Sequence, residues 1–213
     1  MNMSKTLELT QRLVPVVVLE RVEDAVPLAE ALLEAGLNQI EITLRSAAAL
    51  DGIAAVARRF PEMRLGAGTI LDPGILPRLV DMGVGFGVSP GLDERVLDAA
   101  ESAGLPMAPG VMTPSEIDRA RARGLQILKF FPAEPAGGAA MVKAMAGPYG
   151  HTGVRFIPTG GINAAKAADY FAIPEVAAVG GSWFVDKKLI AAGDFAEITR
   201  LTREALALAG SPT

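Results

Sequence analysis

Residues 83–125 read GVGFGVSPGLDERVLDAAESAGLPMAPGVMTPSEIDRARARGL, and the same unit runs through them twice. Gly83 and Gly104 lie 21 positions apart, and Gly104 and Gly124 lie 20 apart. Each glycine is followed by an apolar residue (Val84, Leu105, Leu125), the pattern of a left-handed helix cap leading into the next strand. Upstream, Gly36-Leu37 repeats the signal 47 positions before Gly83, about two more units. Between the glycines the apolar residues keep helical spacing, as in Leu92, Val96, Ala99 and Ala100, or Ala25, Leu28, Ala29 and Leu32. A repeating strand-helix unit is the simplest reading.

Extended outward, the reading places strands near Leu13 to Leu19, Gln39 to Thr43, Arg64 to Gly68, Gly85 to Ser89, Pro106 to Ala108, Gln126 to Phe130, Val154 to Ile157 and Val176 to Val179. Short β-branched runs alternating with Ala/Leu-rich helices make a parallel sheet with crossover helices. Eight such units in one short chain favour a closed barrel over an open doubly wound sheet. The expected fold is therefore α/β, a (β/α)8 TIM barrel. It forms one domain over residues 1–213, with a short helical extension at the amino terminus. Gly83, Gly85 and Gly87 do not complete G-x-G-x-x-G, so no dinucleotide fingerprint is present.

Composition narrows the function. A chain of 213 residues that is half hydrophobic can bury one substantial core. Its net charge of −4 offers no basic excess for nucleic acid or anionic lipid, so small molecules are the expected partners. With no cysteine and one histidine, His151, it has no disulfide, no thiol nucleophile and no Cys/His zinc cluster. The opening MNMSKTLELTQR lacks the apolar stretch of a signal peptide, and no apolar run reaches the ~20 residues of a membrane span. The default expectation is a cytoplasmic protein.

Three groups of residues can carry chemistry. Lys129 stands inside the apolar run Gln126-Ile127-Leu128-Lys129-Phe130, where burial disfavours its charged form. Lysines in such settings are the usual Schiff-base formers, although a lysine at a strand end can also reach out to solvent. In Ile40-Glu41-Ile42-Thr43-Leu44-Arg45, strict alternation puts Glu41, Thr43 and Arg45 on one face. A carboxylate, a hydroxyl and a guanidinium at a strand end suit proton transfer and carboxylate binding, and a solvated edge face is the other reading. Pro158-Thr159-Gly160-Gly161 and Gly180-Gly181-Ser182 follow the last two strands, where barrels commonly bind phosphate through converging backbone N–H groups. Tight turns would use the same glycines. Gly66-Ala67-Gly68-Thr69 and Ser89-Pro90-Gly91 bring backbone near the same cavity. Elsewhere, His151 reads as a surface loop residue, Lys143 as solvated, Arg119, Arg121 and Arg123 as a solvated helix end, and Trp183 and Phe184 as packing behind the last glycine loop or at a subunit contact.

Taken together, these segments resemble the 2-keto-3-deoxy-6-phosphogluconate aldolase family, which also includes 4-hydroxy-2-oxoglutarate aldolases. The likeness runs from Val14-Pro15-Val16 to about Gly193. It is most specific at Gly36-Leu37-Asn38-Gln39-Ile40-Glu41-Ile42-Thr43-Leu44-Arg45 and Leu128-Lys129-Phe130-Phe131-Pro132-Ala133-Glu134. The resemblance implies that Lys129 forms the imine and Glu41 is the acid/base. It further implies that Arg45 and Thr69 hold the pyruvyl carboxylate, that Pro90 and Phe131 wall the pocket, and that Thr159, Gly160, Gly161 and Ser182 receive the phosphate, with Gly181 beside them. It implies no metal or organic cofactor, and a homotrimer. Glu20, just after the first strand, departs from the smaller polar residue expected there, and Tyr149 to Gly153 is a longer connection. Neighbouring readings keep the mechanism but change the substrate to the galactonate epimer or to 4-hydroxy-2-oxoglutarate. A phosphosugar isomerase or epimerase, or a non-catalytic phosphometabolite-binding barrel, would keep the glycine loops without needing Lys129.

Overall fold

The computed structural model describes residues 7–210. Along the chain run β1 (Leu13–Val17), α1 (Ala25–Glu34), β2 (Gln39–Thr43), α2 (Ala49–Arg59), β3 (Arg64–Gly68), α3 (Leu76–Asp81), β4 (Phe86–Val88), α4 (Glu94–Ala103), β5 (Met107–Ala108), β6 (Gly110–Val111), α5 (Pro114–Ala122), β7 (Ile127–Phe130), α6 (Gly138–Tyr149), β8 (Arg155–Pro158), α7 (Ala164–Phe171), β9 (Val179–Gly181), α8 (Lys187–Ala192) and α9 (Phe195–Ala209). Of the expected amino-terminal extension, residues 1–6 lie outside the described residues, and residues 7–12 form no helix.

All strand pairs are parallel. They form a six-stranded sheet in the order β5-β4-β3-β2-β1-β9 and a three-stranded sheet in the order β6-β7-β8. The architecture is thus α/β with a curled parallel sheet and helices outside it. Where one fifth strand was expected at Pro106 to Ala108, two short ones occur, separated by Pro109. Proline has no N–H to give a ladder, so the run breaks there. Its carbonyl still accepts from Lys129 N at 3.0 Å. The last strand lies further along than expected. Val176 makes only a single bridge to Phe156, and the ladder to β1 is formed by Val179, Gly180 and Gly181. A second bridge, Thr159 to Gly180, links the ends of the two sheets.

The periodic helix faces pack against the outside of the sheet. Leu28, Leu32, Ile40, Ile42, Val56, Leu97, Ile117 and Leu128 are all buried there in one large core. A smaller cluster of Leu7, Phe86, Val88, Ala108 and Ile157 fills the inside of the curl. Room for the Phe86 ring comes from Gly66, where a Cβ would lie 2.2 Å from the ring. The four glycines of the repeat have φ between 67° and 92°, as their cap positions require. Arg123 is not a solvated helix end. It donates to Glu94 and Asp98 at 2.6 Å and approaches Glu101 at 3.4 Å, tying α5 to α4 with its side chain 19% exposed.

Candidate active site

Parallel strands all end on the same rim, so the side chains at their carboxyl ends converge. Lys129, on β7, is 5% exposed, and Glu41, on β2, is 3% exposed. Their side chains meet across the curl, Lys129 Nζ lying 3.4 Å from Glu41 Oε1. The close approach depends on Gly68, since a Cβ there would sit 2.1 Å from Glu41 Oε1. The Phe131 ring centroid lies 5.3 Å from the lysine nitrogen. A buried amine beside a buried carboxylate, with apolar residues around both, can attack a carbonyl and move a proton.

Next to the pair lies a cavity of about 410 Å³, within the range of small-ligand sites. Thr43, Arg45, Thr69, Pro90, Lys129, Phe131, Thr159, Gly160, Gly161, Gly181 and Ser182 all line it. Eleven of the twelve expected site residues therefore line one cavity. The twelfth, Glu41, reaches it through its contact with Lys129.

The two ends of the cavity differ. At one end Thr43 Oγ1 donates to Val17 O at 2.8 Å and accepts from Arg45 Nε at 3.2 Å, so the threonine holds the guanidinium rather than facing open space. Thr69 closes this end with φ of 57°. A β-branched residue in that region is strained, and strain of this kind gathers at functional sites. At the other end Gly160 and Gly161 have φ of 107° and 78°. Their turn is fastened to the segment after Lys129: Ala133 N donates to Thr159 O at 2.8 Å, and Glu134 N donates to Gly160 O at 3.0 Å.

Glu134 itself accepts from Tyr170 Oη at 2.5 Å and from Lys166 Nζ. The bonds from Lys166 and then Tyr170 hold its carboxyl below the usual range, while burial opposes them. Burial, then Glu134, pushes the Tyr170 phenol up. The side chain of Trp183 covers Gly181, where a Cβ would lie 1.8 Å from its ring, and Phe184 is fully buried behind it.

Sequence reasoning missed Val16 and Val18 on the β1 side, and Ile162, Val185, Asp186 and Lys187 around the glycine end, where Gly180 of the expected glycine loop also lines the cavity. The valines carry no chemical signal, and Asp186-Lys187-Lys188 reads as an ordinary polar helix start. Glu20 lines a small side hollow with Arg21, Asp24 and Lys187, not the main cavity. His151 and Lys143 are exposed and lie outside it.

Residues 5–201 match the family model described as KDPG and KHG aldolase. A 2-dehydro-3-deoxy-phosphogluconate aldolase of Treponema pallidum is 46% identical over 93% of this chain and 94% of its own. The structure of a KDPG aldolase from Legionella pneumophila, with pyruvate captured as a covalent carbinolamine, covers 92% of this chain and 95% of its own. It is 38% identical, with a TM-score of 0.89. The 2-keto-3-deoxy-6-phosphogluconate aldolase of Zymomonas mobilis, solved with 3-phosphoglycerate, covers 93% and 92% at 39% identity, with a TM-score of 0.86. On its buried lysine and carboxylate, its two-ended cavity and these likenesses over nearly its whole length, the chain belongs to the KDPG and KHG aldolase family.

Proposed function

We infer that the protein is a class I aldolase that cleaves 2-keto-3-deoxy-6-phosphogluconate into pyruvate and D-glyceraldehyde 3-phosphate. The observation that carries the reading is the buried Lys129–Glu41 contact at 3.4 Å, placed between an end that holds Arg45 and an end built of glycine turns. A substrate with a carboxylate at one terminus and a phosphate at the other matches those ends. The carbinolamine captured in the Legionella enzyme, formed from pyruvate, supports the same chemistry here.

In this mechanism the Lys129 amine adds to the C2 ketone, and loss of water leaves a protonated imine. Glu41 takes the C4 hydroxyl proton as the C3–C4 bond breaks, and the bonding pair passes into the imine to give an enamine. Glyceraldehyde 3-phosphate leaves, C3 is protonated, and water releases pyruvate and the free lysine. Arg45, held by Thr43, pairs with the carboxylate, and Thr69 helps fix it. Pro90 and Phe131 wall off solvent. Thr159, Gly160, Gly161, Gly181 and Ser182 receive the phosphate away from the breaking bond, so their binding energy positions the substrate. No metal or organic cofactor enters any step.

Three further statements belong to this reading. The curled sheet acts as one closed (β/α)8 barrel in a single domain, supported by the Phe156–Val176 and Thr159–Gly180 bridges between its two parts. The assembly is a homotrimer, and Leu71, 65% exposed beside the hollow of Leu44, Leu50 and Ile75, is apolar surface for a contact between copies. The setting is cytoplasmic, and among the described residues no helix is long and apolar enough to cross a membrane. Steady-state kinetics test the activity. The phosphorylated sugar acid should show kcat/KM well above that of 4-hydroxy-2-oxoglutarate, and Ser182→Ala should lower it for the phosphorylated substrate alone. Equal values for the two substrates would move the reading to the unphosphorylated one.

A further inference from the structure

The phosphate end of the cavity is short of positive charge. Two anionic groups enter with the substrate, and the phosphate brings about −1.5 to −2 at neutral pH, the larger share. Arg45 answers the carboxylate, and Lys129 is consumed in the imine. Around the glycine turns the lining offers N–H groups and the Thr159 and Ser182 hydroxyls, all neutral, together with one carboxylate, Asp186. Without a further cation, this end would present a net negative side chain to a dianion.

Among the described residues, Lys187 is the one remaining basic residue on the lining. It stands at the start of α8, five residues after Ser182, where the cavity meets the side hollow lined by Val18, Glu20, Arg21 and Asp24. Three of the other charges nearby, Arg21, Asp24 and Asp186, are already engaged. Arg21 pairs with Asp24 at 2.7 Å, and Asp186 accepts from Lys188 N at 2.7 Å. Among the described residues no carboxylate comes within 4 Å of Lys187, although Glu20 lines the same hollow. Its side chain is exposed, so an ammonium at the mouth loses little hydration on meeting an arriving anion.

On the functional reading above, we propose that Lys187 is the cationic partner of the substrate phosphate and sets the preference for phosphorylated over unphosphorylated keto acids. It binds the group remote from the reaction, so it acts on substrate capture and leaves the bond-breaking step to Lys129 and Glu41. A hydrogen bond between ions at an open site corresponds to about tenfold in affinity. The contact is exposed and therefore screened by salt, with a Debye length of about 10 Å at 0.1 M.

The test is steady-state kinetics of the full chain, wild type against Lys187→Met and Lys187→Arg, with 2-keto-3-deoxy-6-phosphogluconate and with 4-hydroxy-2-oxoglutarate at low and high salt. Lys187→Met should raise KM for the phosphorylated substrate about tenfold at low salt, with kcat within about twofold. It should also flatten the salt dependence of kcat/KM and leave KM for 4-hydroxy-2-oxoglutarate unchanged. Lys187→Arg should restore most of the loss. Equal changes for both substrates, or none for either, would overturn the assignment while leaving the aldolase reading intact. A wild-type enzyme that does not cleave the phosphorylated substrate would overturn the functional reading itself, and this inference with it.

Discussion

Glu41→Gln changes one atom at the centre of the site. Glutamine matches glutamate in size, so the 3%-exposed side chain leaves no void and the surrounding core keeps its packing. What disappears is the charge 3.4 Å from Lys129 Nζ and the capacity to take a proton. Asp186 cannot stand in, because it lies at the glycine end and caps Lys188. Losing a general base usually costs about 10² to 10⁴ in rate, or roughly 2.7 to 5.5 kcal/mol in the barrier. The expected kcat for pyruvate release is therefore at least 10²-fold below wild type.

Breaking a buried ion pair by removing one partner can cost up to about 3–5 kcal/mol, so the thermal midpoint of the variant should fall as well. The two effects separate cleanly, because the assay is run well below that midpoint and circular dichroism reports the folded fraction. Glu41→Asp, which keeps the carboxylate but draws it back by one methylene, should fall between the two. A folded Glu41→Gln enzyme with kcat within a few-fold of wild type would refute the reasoning and give the proton transfer to water or another group.

Three other perturbations follow from close contacts and charge. Gly68→Ala places a methyl 2.1 Å from the Glu41 carboxylate and should push it off Lys129, lowering kcat tenfold or more in a protein that still folds; unchanged kcat would show that the glutamate position is not critical. Gly110→Ala sets a Cβ 2.0 Å from the Pro90 carbonyl oxygen, backbone that cannot swing aside, so it should cost about 3 kcal/mol and roughly 6–12 °C in Tm; an unshifted melt would contradict the packing. The Glu134 carboxyl is held low by Lys166 and Tyr170, so its contribution is complete above the ordinary carboxylate value near 4.3 and fades as pH falls through the lower folded value. Urea midpoints should therefore show Glu134→Gln trailing wild type at pH 7 and converging with it in acid, whereas a gap that is constant with pH would remove the charge from the explanation.

Much of this molecule is legible in its sequence because the repeat and the chemistry coincide. The glycine caps at Gly36, Gly83, Gly104 and Gly124 mark helix ends, and β2 and β3 fall at the expected residues because their alternation and flanking turns are unambiguous. Lys129 and Glu41 are conspicuous as ionisable groups in apolar runs. What pattern cannot convey is pairing. Nothing in Val176-Ala177-Ala178-Val179 says that its first valine bridges to β8 while its last opens the ladder to β1. Nor does the break at Pro109 show which half of the fifth strand pairs with which neighbour. Arg123 looks like a solvated helix end until α4 is seen beside it, and Lys187 looks like part of an ordinary polar helix start until the curl of the sheet brings it to the mouth of the cavity. Both depend on tertiary neighbours more than 20 residues away or on a closure that periodicity does not carry.

The central claim, that Lys129 is the nucleophile, is tested most directly by mass spectrometry after borohydride reduction in the presence of pyruvate. One reduced pyruvyl group should appear on the Lys129 peptide and be absent from Lys129→Ala. Glu41→Gln, which keeps the amine, should still be labelled. A label on Lys143 or on Lys187, or no label on any lysine, would contradict the assignment and the Schiff-base mechanism built on it.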